Sequence, residues 1–254
     1  WSSDVCSSDL SSPCDTAKLV QLRTRKVHCR LMLIIQSLSA LGLTLASFLC
    51  LSALFVGFGL LLARKGPLDT DSLLRSFWTG LCVLIALLQV YHLFRPVDSW
   101  PLAFLLVSGF TGLFRHRESC AAWLTVLIST RRMSVAVMAA VLAFIAHRAT
   151  ASPGWHFDTG LYQASFIRWA NAYSIVPGLA NLHLRFGFNN SILLHGAALS
   201  AGPWGDRAVH VMNGPLFAAL VAQSIAGLRR IFADPRGPDV ARHVLSAAIL
   251  PPFV

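Results

Sequence analysis

From Leu31 to Ala63 the chain carries no charged residue, and the run is longer than the roughly 20 apolar residues a helix needs to cross a bilayer. That length constrains the fold more than any motif. It predicts one long or tilted helix with its core at Leu38–Ala63. Leu73–Phe94 predicts a second span, entered by Arg75 and left at Arg95-Pro96. Trp100–Phe114 is short for a crossing, and its Trp100-Pro101 start combines an interfacial anchor with a helix-starting proline. Met133–Ala149 predicts a fourth span, Ser191–Gly202 is too short to cross alone, and Val209–Leu228 is long enough.

Composition agrees. Apolar residues make up 55% of the chain and charged residues 13%, against about 25% charged in a soluble domain. The expected fold class is all-α, a polytopic transmembrane helical bundle. The ends are set apart. Trp1–Leu10 matches the translation of a sequencing-library adapter and is expected to be foreign, and 11–30 is a doubtful or disordered polar segment preceding a possible start at Met32. Residues 31–149 hold the first four spans, 150–190 an external loop, and 191–254 further spans. The apolar C-terminal end leads us to expect a fragment of a longer protein.

Setting aside Asp4 and Asp9 leaves a net charge of +12. In a membrane protein such an excess reports topology and lipid headgroup contact. No basic run carries interleaved aromatics, so no nucleic-acid partner is expected. Cys14, Cys29, Cys50, Cys82 and Cys120 are scattered without a CxxC pair, which indicates neither a disulfide framework nor a zinc site. Arg115, Arg117, Arg131 and Arg132 place the loop between the third and fourth spans in the cytoplasm. The loop 150–190 then faces the periplasm or exterior of a bacterial inner membrane. Beyond Ser191 the rule conflicts with itself, because two further crossings would leave Arg229 and Arg230 outside.

Polar and ionisable groups beside a bilayer are costly unless paired or wetted, and here they concentrate between Trp155 and Ser191. Tyr162, Phe166, Trp169 and Tyr173 recur at spacings of four, three and four, predicting an amphipathic surface helix over 159–173. Pro177-Gly178 ends it. Asp158 is the one acid between Glu118 and Asp206. It suits an N-cap and equally a catalytic carboxylate, and the two roles are compatible. His183 and Arg185 alternate, so in an extended segment they share a face and form a cationic patch for phosphate or for lipid headgroups. Asn181, Asn189 and Asn190 suit sugar hydroxyls, or a turn and a helix start. His92 and His195 lie in apolar runs and are expected to bond to neighbouring helices.

Phe157-Asp158-Thr159-Gly160-Leu161-Tyr162, Ile167-Arg168-Trp169, Ile175-Val176-Pro177-Gly178-Leu179-Ala180-Asn181-Leu182-His183 and Phe186-Gly187-Phe188-Asn189-Asn190-Ser191 resemble a family of bacterial polytopic membrane proteins grouped with the GT-C class of glycosyltransferases. Phe77-Trp78 and Gln89–Phe94 also match, and the resemblance covers roughly residues 38 to 230. It implies a GT-C-like bundle that transfers a sugar from a polyprenyl-phosphate donor to a glycan or lipid acceptor of the cell envelope. Asp158 would be the general base, or would help hold a divalent cation. Tyr162, Gln163, Arg168, Asn181, His183, Arg185, Asn189 and Asn190 would contact substrate, with His183 and Arg185 on the donor phosphate. Gln163 stands where many members carry His, Leu184 where Gly is common, and no second acid follows Asp158 at short spacing. The rival readings are a non-catalytic glycan-binding component or transporter, and a polysaccharide polymerase or ligase.

Overall fold

The computed structural model describes residues 16–63, 66, 68–151, 158–187, 191–235, 237 and 240–248. Every regular element among them is helical. The chain divides into two units, Trp1–Gly42 and Leu43–Val254; the buried core lies in the second.

Helix α1 runs Thr16–Leu62, α2 Thr70–Phe94, α3 Trp100–Arg115, α4 Arg117–Thr130 and α5 Arg132–Ala151. After the loop come α6 Ala164–Ala172, α7 Ile192–Ser200, α8 Ala208–Val211, α9 Gly214–Ala233 and α10 Val240–Ala248. Four stretches, Ile35–Leu62, Thr70–Phe94, Arg132–Thr150 and Gly205–Ala233, are long and apolar enough to cross a membrane, and Trp100–Arg115 is a shorter apolar helix. These bounds lie within a few residues of the spans read from the sequence. Only 6% of the α5 span is buried against the rest of the chain, whereas half of Gly205–Ala233 is. Exposed Met133 and Phe144 on α5 would be costly in water and are ordinary against lipid.

Each helix boundary has a local cause. Asp69 caps α2, accepting from the Ser72 backbone N–H at 2.8 Å and from its hydroxyl at 2.6 Å. The helix stops at Arg95 because Pro96 forces the preceding residue into an extended conformation, φ −143° and ψ 151°. Asp98 then fixes the turn into α3 by accepting from the Tyr91 hydroxyl (2.9 Å) and the Trp100 amide (3.1 Å). The run Val209–Leu228 lies within the one span-length stretch Gly205–Ala233, with a short turn between α8 and α9. Pro215 opens α9 at its first turn, where its missing N–H costs nothing, and it bars continuation of α8.

In the core, Phe55 of α1 stands edge-on to Phe77 of α2 at 5.5 Å, and Phe58 edge-on to Phe104 of α3, also at 5.5 Å. Backbones approach closely where side chains are absent: a Cβ at Gly112 would lie 1.8 Å from the Gly57 carbonyl oxygen, and one at Gly59 lies 1.9 Å from that of Ser76. Close approach of this kind is how helices associate when lipid offers no hydrophobic contrast.

Two elements differ from the expectation. The loop between the third and fourth expected spans contains α4. The stretch 191–202, too short to cross, forms α7, in which every residue from Leu193 to Leu199 is buried. His195 is at its centre, its Nδ1 against the Ile192 carbonyl and its Nε2 3.1 Å from that of Met212, so it has the inter-element bonding role expected of it. α7, at 192–200, is too short to cross, as read from the sequence, and Arg229 and Arg230 lie near the C-terminal end of α9. Arg230 pairs with Asp71 in the first turn of α2, at the end of that helix remote from the loop.

Candidate functional site

Residues 158–187 are bolted to the C-terminal end of α2 by backbone. The Ile175 amide donates to the His92 carbonyl at 3.0 Å, and the Val97 amide donates to that of Ala170 at 2.8 Å. Asn171 adds two side-chain bonds, its Nδ2 donating to the carbonyls of Val97 (2.6 Å) and Ala197 (2.9 Å). One amide group thus joins α6, the α2–α3 turn and α7. Asn171 is not among the candidate residues read from the sequence. Its position four residues after Ile167 was the available signal, since the two share a helical face.

The helix itself departs from the expectation. Thr159–Gln163 is π-helical and α6 follows to Ala172, so regular structure ends one residue before Tyr173. Its buried residues are Ile167 and Ala170, and Ile167 packs against Gly196 of α7. The aromatic stripe is half-buried to exposed, with Trp169 and Tyr173 rings 5.2 Å apart. The chain then turns at Gly178, whose φ of +85° favours glycine, into 3-10 turns at Leu179–Asn181 and Leu184–Gly187.

Asp158 does not act as a cap. Its backbone is helical and its carboxylate makes no capping bond; instead it forms an ion pair with Arg185. The pair is half-buried, with the side chains 45% and 39% exposed. The Arg185 guanidinium lies 5.2 Å over the Tyr162 ring, a cation–π arrangement. The Arg185 amide donates to His183 Nδ1 at 3.3 Å, which leaves the imidazole proton on Nε2, and the His183 ring packs 5.6 Å from Phe186. Asp158, Tyr162, His183 and Arg185 therefore form one cluster. His183 and Arg185 reach it from a 3-10 turn rather than an extended strand, and the positive charge of Arg185 is already partnered.

The remaining candidates fall elsewhere. Gln163 accepts from the Thr159 hydroxyl at 3.1 Å. Arg168 points to Asp206 at 3.5 Å, with both side chains largely exposed. Asn181 is exposed on its turn, and Asn189 and Asn190 lie outside the described residues. Among the described residues no three His, Cys, Asp or Glu side chains gather to hold a metal.

Beside the cluster, a cavity of about 680 Å³ opens between α2, α6 and the turn, with Gln89, His92, Trp169, Pro177 and Phe186 among its lining residues. Its size is typical of a small-molecule site. Among the described residues the buried Nδ1 of His92 has no hydrogen-bond partner, so the bond to a neighbouring helix expected of it is not seen there. The motif residues 174–180 form one wall of it.

A family model described as "Domain of unknown function (DUF8201)" matches residues 42–253. No curated protein matches, and neither does any solved structure.

Proposed function

From the premise that the chain belongs to that family of unknown function, we propose that it is a membrane glycosyltransferase of GT-C-like type. It would use a polyprenyl-phosphate-linked sugar to modify a cell-envelope glycan or lipid, at a segment facing the periplasm or exterior. The observation that carries this reading is the Asp158–Arg185 ion pair, half-exposed, flanked by Tyr162 and His183 and adjoining a cavity.

In this reading the pair is the resting state. A donor phosphate competes with Asp158 for the Arg185 fork, a geometry that favours phosphate oxygens, and His183 Nε2–H supplies a second donor. Asp158, released, accepts the proton of an acceptor hydroxyl. The hydroxyl oxygen bonds to the anomeric carbon as the bond from that carbon to the phosphate oxygen breaks. The electron pair leaves with the lipid phosphate, whose charge Arg185 and His183 stabilise. A divalent cation would find in Asp158 a single carboxylate here, so the base role is the one these residues fit.

The same ion pair also favours a second reading, a non-catalytic glycan-binding component or transporter, because the carboxylate is already occupied by the Arg185 guanidinium. A polymerase or ligase would use the same residues on a different acceptor. Asp158→Asn, introduced into the intact protein, separates these readings. It is expected to abolish complementation of a deletion strain while expression persists; full complementation would refute the catalytic role, and substrate uptake by proteoliposomes would support a transporter.

A further inference from the structure

The basic cluster between the third and fourth spans is unused by that function, and it has a defined geometry. His116 ends α3 and begins α4, with Arg115 on one side and Arg117 on the other. A cavity of about 410 Å³ opens at this elbow, lined by Arg115, His116, Arg117 and Ser119 among others, with Glu118 its one acid. His116 is 4% exposed, yet among the described residues its Nε2 has no hydrogen-bond partner. No side chain caps the first turn of α4. Arg117 is held 4.8 Å over the Phe114 ring, and neither it nor Arg115 is among the salt bridges of the described residues.

Two guanidinium groups, a buried imidazole nitrogen without a partner, a hydroxyl and an uncapped helix start converge on one cavity. Their common requirement is an anion with several acceptor oxygens. A tetrahedral phosphate meets it, because it can accept from an arginine fork, a hydroxyl and helical N–H groups at once. Gly66, just before α2, also lines the cavity, whereas the Asp158 segment is tied to the far end of α2. The two sites are therefore independent. We propose that the α3–α4 elbow is a phosphate-binding site, taking the phosphate group of an anionic phospholipid headgroup or of a soluble phosphate ester.

The test uses the whole chain purified in a neutral detergent, titrated with phosphatidylglycerol, with phosphatidylcholine and with inorganic phosphate, and read by thermal shift and by retained lipid phosphorus. The intact protein is expected to be stabilised by phosphatidylglycerol and not by phosphatidylcholine. Stabilisation by inorganic phosphate as well would show that the phosphate group suffices and that soluble esters compete; its absence would assign the site to lipid. Arg115→Gln with Arg117→Gln is expected to weaken binding roughly a hundredfold, about tenfold for each charge-assisted contact. Both side chains are exposed, so the unliganded melting temperature should be unchanged. His116→Gln should also weaken binding, and should it fail to fold, the arginine pair still decides. Unchanged affinity in the double variant, or no response to either phosphate source, overturns the proposal.

Discussion

Asp158 and Arg185, 27 residues apart in sequence, face each other as a half-exposed ion pair that closes the loop onto the start of its own helix. A pair this accessible contributes about 0–1 kcal/mol to stability. Its loss is therefore expected to change chemistry without unfolding the protein. Asp158→Asn and Arg185→Gln should each leave the melting temperature in detergent within a few degrees of the parent while abolishing function in the deletion strain. A charge swap, Asp158→Arg with Arg185→Asp, should restore the contact and not the activity. Recovery of activity by the swap would show that the pair acts only as a strut.

Asn171 should behave in the opposite way. Its amide serves two carbonyls, on the α2–α3 turn and on α7, and Asn171→Ala leaves both without this donor. A cost of about 1–3 kcal/mol is expected, seen as a lowered unfolding temperature and faster proteolysis between residues 158 and 187. Unaltered stability would mean that the backbone bonds alone hold the segment.

Gly112→Ala should be severely destabilising, because the added Cβ would meet the Gly57 carbonyl oxygen at 1.8 Å and the backbones of α1 and α3 would have to part. Overpacking of this kind costs about 1–3 kcal/mol or more. Gly160→Ala is the control, having nothing within 4 Å of its would-be Cβ. Comparable yields of the two variants in detergent would contradict the packing described.

At low pH the α2 cap should fail. Asp69 is held below the usual carboxylate range, first by the Ser72 hydroxyl, then by the Ser72 amide, with Arg75 and Arg230 adding smaller effects. A carboxyl with a depressed folded pKa contributes stability that is complete above its unfolded value of about 3.9 and fades as pH falls through the folded value. Asp69→Asn is expected to flatten the acid limb of a stability-versus-pH curve. An acid limb parallel to that of the parent would show that the cap carries no pH dependence.

Cys50 and Cys82 are exposed on the surfaces of α1 and α2, within stretches that are long and apolar enough to cross a membrane. In a bilayer they should resist a membrane-impermeant maleimide and become reactive once the protein is denatured in detergent. Labelling in intact membranes would place those faces in water.

The spans were legible because an uncharged run longer than a bilayer is thick has few other folds open to it. Leu38–Ala63 and Leu73–Phe94 needed no tertiary information. The turn at Asn213 was written in Gly214-Pro215 but was masked by apolar neighbours. α7 was illegible for a different reason: nine apolar residues satisfy a buried helix and a failed crossing equally, and only the surrounding helices decide. Asp158, Tyr162, His183 and Arg185, all singled out in the sequence, lie together in one cluster. Their pairing was not legible, because a contact across 27 residues of irregular chain leaves no periodic trace, and an aspartate before a helix looks like a cap wherever its carboxylate goes. Arg168 was drawn off by Asp206, a residue well outside the motif.

α7 has a mechanical consequence. Spanning helices must follow the thickness of the bilayer, tilting or sliding when the hydrocarbon layer changes. A short helix whose residues Leu193–Leu199 are all enclosed by protein has no such obligation. The loop is tied to it through Asn171 and Ala197 as well as to the end of α2, so the Asp158 cluster is held by protein contacts on two sides and should keep its internal geometry in membranes of different thickness.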